Sequence, residues 1–157
     1  MTTAFDTFAI VRDIAATPAR VFQAFADQGA KDAWFHGPEG DAPSERRFDF
    51  RVGGTEVLAG TMPEGWTHRF EATYQDIVAD ERIVYTYLMF INGIKLSVSQ
   101  TTVELEPTAT GTRVTFTEQG AYLAADEVAL GGGITAEESR RMGSEQLMDA
   151  LQASLEG

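Results

Sequence analysis

Cysteine is missing from all 157 residues of the chain. That removes disulfides, thiolate nucleophiles and cysteine-ligated metals from consideration. Basic side chains are scarce: 12 lysines and arginines stand against 24 aspartates and glutamates, a formal net charge of -12. A nucleic-acid binder needs a basic footprint, and an anionic membrane surface attracts one, so neither partner is expected. No run approaches the roughly 20 apolar residues of a membrane span, so no membrane insertion is expected. Met1 to Ile10 has neither a basic n-region nor a long apolar stretch, which argues against a signal peptide and for a cytoplasmic protein. No Gly-x-Ser-x-Gly elbow occurs, and Gly131-Gly132-Gly133 lacks the Lys-Ser/Thr of a phosphate loop.

What is present is a meander. Between Phe48 and Gln119 about six strand-like runs follow one another with no gap long enough for a crossover helix. Arg47–Arg51, Thr55–Thr61, Thr67–Val78, Arg82–Ile91, Lys95–Glu104 and Thr112–Gln119 are the expected strands, and Phe8–Ile14 precedes them. Asn92-Gly93 marks a two-residue hairpin, because both positions tolerate positive φ. Thr17-Pro18 starts a helix carrying Val21, Phe22 and Phe25 on one face, closed at Asp27-Gln28-Gly29. A second short helix is expected over Ala30–Phe35, then a polar loop over Glu39–Glu45. Gly120 to Gly133 reads as irregular, with the triple glycine a candidate cavity lid. Thr135-Ala136-Glu137-Glu138 is a capping-box pattern opening a helix to about Leu155. Gly143, Leu147, Ala150, Leu151 and Leu155 share one face of it. The length suits one domain spanning residues 1–157. The class is α+β, a curved antiparallel sheet against a C-terminal helix.

The ordered motifs Thr17-Pro18-Ala19-Arg20-Val21-Phe22, Trp34-Phe35-His36-Gly37-Pro38, Phe48-Asp49-Phe50-Arg51-Val52-Gly53-Gly54, Tyr74-Gln75-Asp76-Ile77, Asp80 to Thr86 and Thr112 to Glu118 resemble the START-like, SRPBCC superfamily. The chain is most similar to the bacterial homologues of the heat-shock protein 90 ATPase activator C-terminal domain. The resemblance implies a helix-grip fold: seven antiparallel strands around a long C-terminal helix, with two short helices after the first strand. It also implies a cavity for apolar small molecules such as lipids or polyketides. Some relatives are cyclases or hydrolases, and the family name suggests a chaperone ATPase as partner. Relatives often carry Gly-Trp in the last helix, where this chain has Gly143-Ser144. The lost aromatic enlarges or reshapes the cavity.

No catalytic or metal-binding constellation is expected. His36 and His68 are the only histidines and stand in no metal-ligand motif. His68 with Glu118, or either with Asp49, offers an acid–base pair only if the sheet brings them together. Arg51, Arg69 and Glu118 are expected on the solvent face. The expected function is binding of an apolar or amphipathic molecule without a cofactor. The expected lining is Trp34, Phe35, Phe50, Tyr74, Tyr87, Met89, Phe116, Met142, Gly143, Leu147 and Leu151. Aromatic residues here serve core and cavity wall alike; tyrosine and tryptophan bring a polar tip that must find a partner when buried. Gly143 either allows close packing or leaves room for a ligand. An edge strand at Arg47–Arg51 would permit a homodimer.

Overall fold

The computed structural model describes residues 3–123 and 133–157. The elements run β1 (Ala4–Ile14), α1 (Pro18–Ala26), α2 (Gln28–Asp32), β2 (Ala42–Phe48), β3 (Thr55–Thr61), β4 (Thr67–Val78), β5 (Arg82–Ile91), β6 (Ile94–Thr108), β7 (Gly111–Tyr122) and α3 (Ala136–Glu156). All seven strands form one antiparallel sheet in the order β1-β7-β6-β5-β4-β3-β2. Bulges at Gln75, opposite Tyr85 and Val84, and at Leu96, opposite Met89 and Phe90, bend β4 and β6. No described helix is long and apolar enough to cross a membrane. Residues 124–132, which hold most of the expected lid, lie outside the described residues.

Local chemistry sets the helices. The Thr17 hydroxyl accepts from the Arg20 amide at 3.3 Å, and Pro18 occupies the first turn of α1. Asp27 closes α1 and its carboxylate caps α2 by accepting from the Ala30 amide at 2.9 Å. Thr135 and Glu138 form the full capping box of α3. At the β5–β6 hairpin, Asn92 and Gly93 both take positive φ, 51° and 77°.

β1 starts earlier than expected, at Ala4, and β6 runs on to Thr108; three further segments differ. The second helix ends at Asp32, not Phe35; only the Trp34 and Phe35 amides continue the turn, both onto the Lys31 carbonyl. β2 begins at Ala42 and ends at Phe48, so half of the expected polar loop is strand and Phe50 is not. Its polar residues fit an edge strand, where Glu45 pairs with Arg69 of β4 at 2.9 Å. Phe50 sits instead in a tight turn closed by the Arg51 amide on the Asp49 carbonyl, at 3.0 Å. β7 runs on through Gly120 to Tyr122, and a side chain at Gly120 would collide with the Ser99 hydroxyl of β6.

The core occupies one half of the concave face. Phe8, Ile10, Val21, Phe22, Phe25, Val103, Val114, Met148 and Leu151 join β1, α1, β6, β7 and α3. A second cluster, Phe70, Ala72 and Tyr87, stands apart on β4 and β5. At the α2 end a charge network is buried with the core. Lys31 Nζ lies 2.5 Å from Glu56 Oε1, Arg46 reaches Glu56 Oε2 at 2.8 Å, and the Tyr74 hydroxyl donates to Glu56. Burial alone would raise the Glu56 carboxyl, but Lys31, Tyr74 and Arg46 outweigh it and hold it low. Burial pushes the Lys31 ammonium down against the pull of Glu56.

Removing Lys31 leaves the buried Glu56 carboxylate with Arg46 and Tyr74 alone to offset its burial. Lys31→Met is expected to destabilise the fold by roughly 3 kcal/mol, with Glu56→Gln added to it recovering part of the loss. Urea denaturation of the three chains checks this, and a single variant as stable as the parent contradicts it.

All four tyrosines of the chain are held protonated. Burial foremost raises Tyr74, Tyr85 and Tyr87, and pushes Tyr122 up to about 12. A raised folded-state value means stability that is complete below about pH 10 and is lost as pH climbs further. Tyr74, Tyr85 and Tyr87 should each remove about 1.4 kcal/mol per pH unit above that point. Lys31, shifted down, acts in the opposite sense but is one group against four. Tyrosinate absorbance should therefore appear only together with the loss of near-ultraviolet circular dichroism. Tyrosinate forming in a chain that keeps its native dichroism would contradict the burial.

Candidate functional site

Between the β4–β5–β6 half of the sheet and the first turns of α3 lies a cavity of about 880 Å³. Phe70, Tyr85, Tyr87, Met89, Ile91 and Leu96 line the sheet side, and Phe35 to Pro38, after α2, close one end. The helix contributes Ala136, Ser139, Arg140, Gly143, Ser144 and Leu147. That stripe follows α-helical spacing and is mostly small, so the helix passes over the sheet without filling the space beneath it. A Cβ added at Gly143 would meet no atom within 4 Å. The glycine leaves room instead of permitting close packing.

The wall is apolar but its floor is not. Arg140 reaches down from α3 and donates to the hydroxyls of Tyr87 at 2.8 Å, Ser97 at 2.7 Å and Ser99 at 3.2 Å, and to Glu118 at 3.3 Å. The Tyr87 hydroxyl donates in turn to Glu118 at 2.8 Å, as Thr101 does at 3.1 Å. The guanidinium lies over the rings of Tyr87 and Tyr122, 5.3 and 5.4 Å from their centroids. Burial raises Tyr87 well above the ordinary phenol range although Arg140 opposes it, so the hydroxyl remains a donor. The ion pair is internally neutral, and the floor presents hydrogen-bonding groups with little net charge.

A second polar pair lies at the mouth. His68 Nε2 is 2.7 Å from Asp41 Oδ1, and both side chains are buried. His68 faces the cavity beside Trp66 and Asn92. His36, also on the lining, bonds the Gly37 carbonyl at 2.9 Å. Among the described residues no cluster of three or more histidine, aspartate or glutamate side chains is placed to hold a metal ion.

Of the residues read from the sequence as lining, Phe35, Tyr87, Met89, Phe116, Gly143 and Leu147 stand on the cavity wall. The other five do not. Trp34 is core: its indole N–H donates to the Ala24 carbonyl at 2.9 Å and its ring meets Phe25 edge-on. Phe50 packs between Phe22 and Tyr74. The Tyr74 hydroxyl is taken up by Glu56, away from the cavity. Leu151 is fully buried in the main core, and Met142 points outward, 51% exposed. Glu118, expected in solvent, is 1% exposed. Arg69 is half-buried between Glu45 and Glu71, whereas Arg51 is exposed and pairs with Asp49. Asp49 therefore partners neither histidine. Sequence reasoning missed Arg140, although its spacing to Gly143, Ser144 and Leu147 places it on the same helical stripe. Asp41 carried no signal, since a lone acid in a polar loop looks solvated.

A family model described as Activator of Hsp90 ATPase homolog 1-like protein matches residues 15–156. No curated protein matches the chain significantly. Among solved structures, a protein from Rhizobium loti is 41% identical with a TM-score of 0.85, the match covering 99% of this chain and 100% of that one. An uncharacterized protein from Rhizobium leguminosarum is 34% identical with a TM-score of 0.87, over 99% and 97%. An AHSA1-like protein from Aeromonas hydrophila, 18% identical with a TM-score of 0.66 over 96% and 92%, shares the fold. The sheet gripping one long helix is the helix-grip arrangement of the START-like superfamily, and the chain belongs to the Activator of Hsp90 ATPase homolog 1-like family.

Proposed function

We propose that the protein binds an apolar or amphipathic small molecule, of the lipid, polyketide or aromatic metabolite class, in the cavity between sheet and α3. The observation that carries this reading is an apolar space of about 880 Å³ with a convergent polar floor at Arg140, Tyr87 and Glu118. Ligand sites of this size are mostly apolar, with a few placed polar groups that fix orientation. Filling such a space with side chains is the usual state of a core, because unfilled apolar volume costs stability. Here the chain places Ala136, Ser139, Gly143 and Ser144 over it. The floor favours a ligand with one hydrogen-bonding end, directed at Arg140 and Tyr87, and an apolar body against Phe70 and Leu147.

The family description names an activator of a chaperone ATPase, and a co-chaperone role is the alternative reading. It calls for a stimulated ATPase rate on mixing, whereas the cavity reading calls for small-molecule affinity in the isolated chain.

Binding of a naphthalene-based fluorescent probe, displaced by fatty acids, alcohols and aromatic ketones, tests the proposal. Gly143→Trp should fill the cavity from the helix side and weaken probe binding by at least about tenfold, since apolar burial is the main driving force. The same substitution removes a mid-helix glycine worth about 1 kcal/mol, so the thermal midpoint should hold or rise. Unchanged probe affinity in a folded Gly143→Trp chain would place the ligand elsewhere.

A further inference from the structure

The His68–Asp41 pair does not belong to the Arg140 floor. Ala72 is the cross-strand neighbour of Tyr87, and His68 lies four residues before it on β4. The dyad and the floor are thus roughly 13 Å apart along the sheet. Its geometry is specific. A carboxylate only accepts, so in the neutral ring the proton of His68 sits on Nε2, facing Asp41, and the lone pair on Nδ1. Among the described residues Nδ1 has no hydrogen-bond partner and is not a sealed-off orphan, while the ring lines the cavity. The chain also makes space for the carboxylate. A side chain at either Gly37 or Gly60 would collide with Asp41.

Two other side chains of the lining, Asn92 and Trp66, carry N–H donors. Thr67, the residue before His68, donates its amide to Asn92 Oδ1 at 2.9 Å, and the Asn92 amide returns to the Thr67 carbonyl at 2.9 Å. This fixes the orientation of the Asn92 side chain and leaves its Nδ2 hydrogens unpaired among the described residues. Asn92 and Trp66 both line the cavity, and the Trp66 ring meets the His68 ring edge-on at 6.1 Å. A base with one free lone pair, N–H donors on the same cavity lining and an apolar chamber are the parts needed to remove a proton next to a carbonyl. Hydrolysis would need a held water and a proton for the leaving group as well.

We propose that the mouth of the cavity catalyses proton transfer at the carbon next to the carbonyl of a bound apolar ketone or related carbonyl compound. This rests on the cavity binding small molecules. His68 Nδ1 takes the proton, and the C–H electron pair forms a carbon–carbon double bond. The carbonyl π pair moves to oxygen, where Asn92 Nδ2 and Trp66 Nε1 donate. Return of the proton to the same or a conjugated carbon restores the carbonyl, so exchange or isomerisation results with no oxidant or co-reactant. His68 is the catalytic residue, and Asp41 is a positioning residue acting through it.

Deuterium wash-in at the α-carbon of β-tetralone, acetophenone and a long-chain methyl ketone, followed by NMR in heavy water, tests this, with the affinity of each ketone measured separately. The intact chain should accelerate exchange of at least one ketone it binds. His68→Gln should lower that rate about a hundredfold or more at unchanged affinity. Asp41→Asn should lower the maximal rate and not the affinity, a split that a purely structural role would not produce. The retained affinity also reports that each variant is folded. A ketone bound by the intact chain but exchanged no faster than by the same concentration of free imidazole overturns the proposal and leaves the binding reading standing. No affinity for any of the three overturns both.

Discussion

One helix cannot cover seven strands. The strands of a sheet stand about 4.8 Å apart, so this one is roughly 29 Å wide, while a helix with its side chains is about 10 Å across. α3 packs on β1 and α1, at the β1–β7–β6 side of the sheet. The β4–β5 half of the concave face is left with aromatic residues and no helix pressed onto them. Curvature from the bulges in β4 and β6 brings that half round toward the helix without closing on it. The core, the cavity and the separate Phe70–Tyr87 cluster all follow from this mismatch in width.

Buried charge then marks the boundaries of the open half. Glu56, with Lys31, Arg46 and Tyr74, ties α2 to β2, β3 and β4 behind Phe35. Glu118, with Arg140 and Tyr87, ties α3 to β5 and β7 across the floor. Each carboxylate is nearly inaccessible and each has cationic and phenolic partners. An unpaired buried carboxylate would be far too costly, so these networks constrain where the helices sit relative to the sheet. They make the open half a defined space. The mouth has its own pair in His68 and Asp41, of which His68 lines the cavity.

The meander was legible because hairpin chemistry and period-two alternation are local. Asn92-Gly93, the capping box at Thr135 and the Thr17-Pro18 start all carry their geometry in a few adjacent residues. Phe48 and Phe50 show the limit. Their alternation looks like continuous strand, but the Gly53-Gly54 turn folds Phe50 back onto Phe22 and Tyr74. The site was half legible. Tyr74 and Tyr87 are indistinguishable by pattern, both inward on neighbouring strands. What separates them is which carboxylate receives the hydroxyl, Glu56 behind the core or Glu118 under the cavity. That depends on pairing across the sheet and on where the helix lies, neither of which is local. Glu118 and Asp41 were unreadable for the same reason, since a buried acid is identified only by the partner that makes burial tolerable.

The most direct measurement is a crystal structure of the protein soaked with a naphthalene-type probe. Density for the probe between the Phe70–Tyr87 face and the Gly143–Leu147 stretch of α3, with the Arg140–Glu118 floor intact, is the predicted result. A helix settled onto β4 and β5, with side chains filling the space and no probe inside, would contradict it.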